Sequence, residues 1–267
     1  MSDRQAGARA EPYFSILITA FNRAGQIARC VRSCTMQSDD DFEVVVVDDG
    51  STDDTVAVLE ELDEPRLRIV RHDRNRGQHP TRATAFDHSH GEWIVMLDSD
   101  DELLPHALAR LRQLIEDLAP GVRVIRFRHR LDDGTLSPAR SPIGVTDYDG
   151  RLAWLESVVV DPVSTDAGHC MHRSVLEANN YFRHRRGEVE ALWELNLARR
   201  ERSLWVEDVL GLVHADAPNQ YYGRGQGAEA LMARLLRDAP DQLWMLERLL
   251  DEHGSVLADR APRYWQK

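Results

Sequence analysis

Along residues 13–118 the hydrophobic positions fall into two alternating kinds of segment. Residues 13–20, 42–47 and 93–97 are short, near-continuous apolar runs closed by polar turn formers, which predicts strands covered on both faces. Between them apolar residues recur at helical spacing. Ile27, Val31 and Cys34 mark a helix after the turn formers Asn22 and Gly25, residues 56–62 a second, and residues 81–88 a third that Gly91 ends. Leu104, Leu108, Leu111 and Leu114 form the stripe of a fourth. A shorter strand is predicted over residues 66–70. Ser51 with Asp54 three residues on predicts a capping box at the second helix. Pro105 suits a first helical turn, so local chemistry alone makes Asp101 a cap of the fourth. Strand then helix, repeated, predicts an open, mostly parallel α/β sheet with helices on both faces and ligands gathering beyond the carboxyl ends of its strands.

Past Pro120 the pattern is weaker. One strand is predicted over 122–128, followed by a loop at Asp132-Asp133-Gly134 and Pro-rich turns through Pro142. Residues 151–160 fit helix or strand equally. Residues 188–199 read as a helix with Leu192, Leu195 and Ala198 on one face, and residues 228–237 and 242–252 as two amphipathic C-terminal helices.

Charge and composition narrow the function. The net charge of −12 argues against a nucleic-acid backbone or an anionic membrane as main partner, so any phosphate site has to be local. With Lys267 as the single lysine, a Schiff-base or P-loop lysine is excluded and Arg supplies nearly all positive charge. Cys30, Cys34 and Cys170 form neither a disulfide framework nor a CxxC pair, which fits a reducing cytoplasm. No apolar leader and no run long enough for an integral membrane segment are seen, so a cytoplasmic, soluble protein is expected.

The chemistry concentrates where the apolar run Trp93-Ile94-Val95-Met96-Leu97 ends in Asp98-Ser99-Asp100-Asp101 and Glu102. Carboxylates crowded at the end of a buried strand repel one another and need a cation or donors to hold them together. Thr19, Asp48, Asp49, Asp98 and Asp100 all fall at predicted strand ends, where an α/β sheet gathers its ligand. This stretch is therefore expected to hold a divalent metal, and the metal the diphosphate of a nucleotide.

Read together, Ser15-Ile16-Leu17-Ile18-Thr19-Ala20-Phe21-Asn22-Arg23, Val47-Asp48-Asp49-Gly50-Ser51, Asn75-Arg76-Gly77 with Arg82, and Gly91-Glu92-Trp93-Ile94 leading into Leu97-Asp98-Ser99-Asp100-Asp101 resemble family 2 glycosyltransferases. The resemblance covers residues 14–118 strongly and implies a GT-A (Rossmann-like) fold and inverting transfer from a nucleotide-diphosphate sugar donor of UDP or dTDP type. It implies that Thr19 and the loop Phe21, Asn22 and Arg23 line the nucleotide, that Asp49 accepts a hydrogen bond from the base, and that Arg82 lies near the diphosphate or base. Asp98-Ser99-Asp100 matches the D-x-D motif, with Asp98 and Ser99 near the ribose or sugar and Asp100 at Mn2+ or Mg2+. His214 matches a late His-containing loop that in some relatives reaches the metal or closes over the nucleotide, and His169 and His172 lie where relatives form the acceptor pocket.

The general base is implied in Gly187-Glu188-Val189-Glu190-Ala191-Leu192-Trp193, with Glu188 first and Glu190 second, although Val189 stands where many relatives carry Asp. A nucleotide-sugar-binding protein without transfer activity is the non-enzyme alternative. A sugar nucleotidyltransferase is disfavoured because Ala20-Phe21-Asn22-Arg23-Ala24-Gly25 lacks a Gly-rich basic loop. The expected organisation is a disordered stretch over 1–11, a domain over 12–225 with a nucleotide-sugar half (12–120) and an acceptor half (121–225), and a helical extension over 226–267. The acceptor, whether small molecule, glycan or peptide, is not specified by these residues.

Overall fold

A computed structural model describes residues 11–147, 167–179 and 197–214. Its first part is β1 (Phe14–Ala20), α1 (Ile27–Thr35), β2 (Phe42–Asp48), α2 (Thr55–Glu60), β3 (Leu67–Arg71), α3 (Gln78–Asp87), β4 (Trp93–Asp98), β5 (Glu102–Leu103) and α4 (Ala107–Glu116). Its second part is β6 (Val122–Leu131), β7 (Leu136–Ser137), β8 (Gly144–Thr146), β9 (Gly168–His172), α5 (Arg173–Asn179) and β10 (Arg202–Val213). All ten strands join one sheet, ordered β3-β2-β1-β4-β9-β6-β10-β5, with β7 on β6 and β8 on β10.

The near-continuous apolar runs are explained by burial of both sheet faces. On one face Ile16, Ile18, Val44, Val46, Val95 and Leu97 share a core with Ile27, Cys30, Val31 and Cys34 of α1 and Leu108 and Leu111 of α4. On the other, Leu17, Val45, Val47, Ile94, Val124 and Met171 meet Ala85 of α3 and Val175 and Leu176 of α5. Strand alternation sends successive residues to opposite faces, so each run has to be apolar throughout. β3, β2, β1 and β4 are mutually parallel, as the alternation of strand and helix requires.

Several local expectations are corrected. Ser51 and Asp54 form no capping box. Asp53 holds the start of α2, accepting from the Thr55 N–H at 3.1 Å, while Ser51 Oγ accepts from the Asn22 N–H at 2.8 Å. α3 starts at Gln78 rather than residue 81, because Gly77 at φ +93° turns the chain and Pro80 fits the first turn. α4 starts at Ala107 after the short β5, and Asp101 accepts from the His214 N–H at 3.1 Å instead of capping it. Five strands were not expected: the short β5, β7 and β8, then β9, wedged antiparallel between β4 and β6, and the twelve-residue β10, whose pairing with β6 shifts register three times. The expected structure over 1–10, 151–160, 188–196 and 226–267 lies outside the described residues. Among the described residues no helix is long and apolar enough to cross a membrane.

Candidate functional site

Register fixes which strand ends meet. Thr19 pairs with Val47 on one side and with Asp98 on the other, so Thr19, Asp48 and Asp98 stand nearly level at the carboxyl ends of three parallel strands. The loop after β1 is laced to the loop after β2. Asn22, at φ +54°, donates its N–H to Ser51 Oγ and accepts at Oδ1 from the Thr52 N–H at 2.9 Å. The Arg23 N–H reaches Thr55 Oγ1 at 2.7 Å, and the Ala24 N–H reaches Asp53 at 3.1 Å. Burial alone would raise the Asp53 carboxyl, but hydrogen bonds from Thr55 and the Ala24 N–H hold it below the ordinary range. The Arg23 guanidinium folds back to donate to the carbonyls of Phe21 and Asn22, both at 3.2 Å.

Asp49 is occupied by its own chain. Its Oδ1 accepts from His72 Nδ1 at 2.8 Å and from the Arg76 N–H at 2.9 Å, and its Oδ2 from the Gly77 N–H at 2.8 Å. A carboxylate offers about four acceptor sites, so one on Oδ2 remains beyond these three bonds. His72, absent from the sequence reading, is 4% exposed and spans from Asp49 to Thr84 Oγ1 at 2.9 Å. A polar residue directly after β3 was the available signal. Gly50 explains how close the two loops come: at φ +74°, a Cβ there would sit 2.6 Å from the backbone of Arg74.

The acidic turn after β4 is supported from beneath by α1. The Asp101 N–H donates to the Asp98 carbonyl at 3.1 Å, Cys30 Sγ approaches that carbonyl at 3.4 Å, and Arg29 Nη2 donates to the Asp100 carbonyl at 2.8 Å. Burial raises the Cys30 thiol well above its ordinary range, and the charges of Asp101 and Asp100 add to the effect, so it is packing rather than a nucleophile. The carboxylates differ in exposure. The Asp98 side chain is 56% exposed, with Arg82 Nη2 of α3 3.5 Å away, whereas Ser99, Asp100 and Asp101 are at most 9% exposed. Among the described residues no three His, Cys, Asp or Glu side chains converge as a metal cage. The donor set is hard oxygen, which suits Mg2+ or Mn2+ bound through one or two carboxylates and completed by phosphate oxygens and water.

His214, expected at the metal, sits against the acidic turn. Its Nε2 is 2.7 Å from Glu102 Oε1 and its Nδ1 2.8 Å from Asp132 Oδ1, so it ties the end of β10 to the acidic turn and to the β6–β7 hairpin. Thr19, Asn22, Arg23, Asp49, Asp98, Ser99 and Asp100 lie on the connected strand ends and loops described above, with Phe21 in the same β1–α1 loop and Arg82 reaching Asp98 from α3. Glu188 and Glu190 lie outside the described residues.

The fold matches known structures. S. aureus TarS in complex with UDP-GlcNAc superposes with a TM-score of 0.62 at 17% identity, over 93% of this chain and 76% of that one. The mannosyltransferase PcManGT from Pyrobaculum calidifontis, in complex with GDP-Man and Mn2+, gives 0.57 at 18% identity, over 96% and 83%. These similarities identify the GT-A architecture. In sequence, the chain is 40% identical over 105 residues to the succinoglycan biosynthesis protein ExoO of Rhizobium meliloti (strain 1021), spanning 39% of this chain and 29% of that protein. It is 42% identical over 99 residues to an Escherichia coli chondroitin synthase, spanning 36% and 14%. The matched stretch thus covers about a third or less of these two relatives' length. The sequence profile of glycosyl transferase family 2 matches residues 15–178, well over half of the chain, and the protein belongs to that family.

Proposed function

We propose that the chain moves a sugar, with inversion at C1, from a nucleotide-diphosphate donor of UDP or dTDP type to an acceptor hydroxyl on a small molecule, glycan or peptide. The observation that carries this reading is the pairing of an exposed Asp98 with a buried Asp100 at the end of β4, level with Thr19 and beside Arg82. Thr19 and the braced loop Phe21, Asn22 and Arg23 line the nucleoside, and the remaining acceptor site on Asp49 takes a base N–H. Arg82 contacts the diphosphate, where a guanidinium matches phosphate oxygens, and Asp98 with Ser99 faces ribose or sugar. Asp100 would hold Mn2+ or Mg2+, which supplies positive charge to the departing diphosphate. His214 braces the turn that presents Asp100. The ligands of the two structural neighbours, UDP-GlcNAc and GDP-Man, support a nucleotide-sugar donor.

In the transfer, the acceptor oxygen attacks C1 while the bond from C1 to the diphosphate oxygen breaks. The acceptor proton passes to a carboxylate, Glu188 or in its place Glu190, and the nucleoside diphosphate leaves with the bonding electron pair. Residues 12–120 form the donor half and 121–225 the acceptor half. The free, buried Cys30, Cys34 and Cys170 fit a reducing, cytoplasmic setting.

A thermal-shift panel of UDP, GDP, dTDP and CDP with and without Mn2+ tests the reading, since a ligand that binds only the folded state raises its stability by mass action. Metal-dependent stabilisation by UDP or dTDP is expected. No shift with any diphosphate in either condition would overturn it.

A further inference from the structure

Strand β6 carries an arginine at alternate positions, Arg126, Arg128 and Arg130, beyond its apolar residues Val124 and Ile125. Alternation places Arg126 and Arg128 on one face, and the cross-strand pairs identify it. Met96 pairs with His169, and His169 with Arg126, so Arg126 shares the face of Met96 and therefore of Asp98, two residues on. The other parity, Phe127 and His129, lies on the opposite face, where their rings meet edge to face at 5.6 Å and Phe127 joins the α1 and α4 core. Two strand spacings, about 10 Å, separate β4 from β6.

These arginines are held in place. Arg126 is 2% exposed, its guanidinium lies 5.2 Å from the Trp205 ring centroid, and its Nη1 is 2.6 Å from His169 Nε2. Because a guanidinium only donates, His169 accepts at Nε2 and carries its proton on Nδ1. Arg128 makes a long hydrogen bond to Ser141 Oγ at 3.4 Å and lies 3.8 Å from Glu207, whose side chain is 71% exposed. Its Nε is buried with no hydrogen-bond partner among the described residues. A buried N–H without an acceptor is unfavourable, and an arriving oxyanion removes that cost.

We propose that Arg126 and Arg128, with His169, form a subsite for an anionic group, a carboxylate or a phosphate, on one of the two sugar substrates. The inference rests on the donor site at Asp98 and Asp100, because that site places the stripe alongside the reacting sugar. A guanidinium matches either anion in bidentate fashion, and stacking on Trp205 with a bond to His169 fixes its plane in advance. In a chain of net charge −12, such a stripe selects an anion locally where the overall field repels it. The anion belongs either to the donor sugar or to the acceptor.

The test is calorimetry on the full chain, with two arms. The donor arm compares UDP-glucuronate with UDP-glucose in Mn2+; the acceptor arm compares a glucuronate-terminated oligosaccharide and a glycerol-phosphate oligomer with a neutral cello-oligosaccharide. Acceptor probes are titrated with and without UDP. The charged member of one arm is expected to bind about tenfold tighter, and that preference to fall about tenfold in Arg128→Gln and in Arg126→Lys, with UDP binding reporting an intact fold. The arm in which the preference appears names its source. Equal binding of charged and neutral probes in both arms, or a preference that survives in both folded variants, would overturn the subsite. Absence of UDP binding to the wild type overturns the donor reading instead, while the probes titrated without UDP still decide the anion preference.

Discussion

The two parts of the sheet are built by different rules. From β1 to α4 every long strand is parallel and is joined to the next through a helix, so each strand end points a polar residue at the same edge. From β6 onward the chain alternates direction: β9 enters antiparallel between β4 and β6, β7 and β8 pair antiparallel on the outside, and β10 bulges repeatedly against β6. The first part supplies the acidic and loop-borne groups for a nucleotide, and the second adds the Arg126, His169 and Trp205 cluster beside it. In the proposed reading a regular βα scaffold presents the nucleotide, while irregular pairing places the groups proposed to distinguish substrates.

The comparison is broken most severely at the proposed base, which belongs to the second part by sequence. Glu188→Gln keeps size and should keep donor affinity, yet lower turnover roughly 10²–10⁴-fold. Running Glu190→Gln beside it assigns the role, and near-normal rates in both would remove the base from this segment.

In the first part, the close contact of the two nucleotide loops can be tested through glycine. Gly50→Ala combines φ +74° with a Cβ 2.6 Å from Arg74 backbone, whereas Gly134→Ala, at φ +82° in the hairpin before β7, meets nothing within 4 Å. Urea denaturation should show about 1–2 kcal/mol lost at Gly134 from backbone conformation alone, and a larger loss at Gly50. Equal losses would mean that the loops are not in tight contact.

Asp49→Ala should weaken the preferred nucleotide by on the order of 1–3 kcal/mol and flatten base preference. The same substitution leaves the Arg76 and Gly77 N–H groups without their acceptor, so a matching fall in thermal stability is expected. If calorimetry finds base preference intact and stability alone reduced, Asp49 acts only as the anchor of this loop.

A pH dependence tests the second part. Burial pushes the His129 imidazole down from 6.5 to about 4, opposed by the nearby charge of Asp98. A histidine whose folded value lies below its unfolded one binds its proton more readily when unfolded, so stability falls as pH drops from about 6.5 toward 4. The slope from this group is at most about 1.4 kcal/mol per pH unit. His129→Leu should remove that share of the acid sensitivity, and an unchanged stability profile would show that the ring is not protected.

Legibility in the sequence follows the same division. The strands at Phe14–Ala20, Phe42–Asp48 and Trp93–Asp98 were readable because burial on both faces leaves a near-continuous apolar run. Gly168–His172 was not, because His169 and His172 interrupt its apolar residues and its place between β4 and β6 is set by partners distant in the chain. β10 mixes Trp205 and Val206 with Glu207 and Asp208 at a bulge, which destroys period-two alternation. Within the site, the acids at strand ends were legible one by one. The partners that occupy Asp49 and His214 were not, since His72, Glu102 and Asp132 reach them only through tertiary packing.

The most direct test of the account is calorimetric titration of UDP and dTDP, with and without Mn2+, into the wild type and Asp100→Ala. The wild type is expected to bind one of them in a metal-dependent manner, and the folded variant to lose that dependence together with most of its affinity, because Asp100 is the carboxylate assigned to the ion. Undiminished Mn2+-dependent binding in a folded Asp100→Ala protein would contradict the assignment of the β4 turn as the metal and diphosphate site.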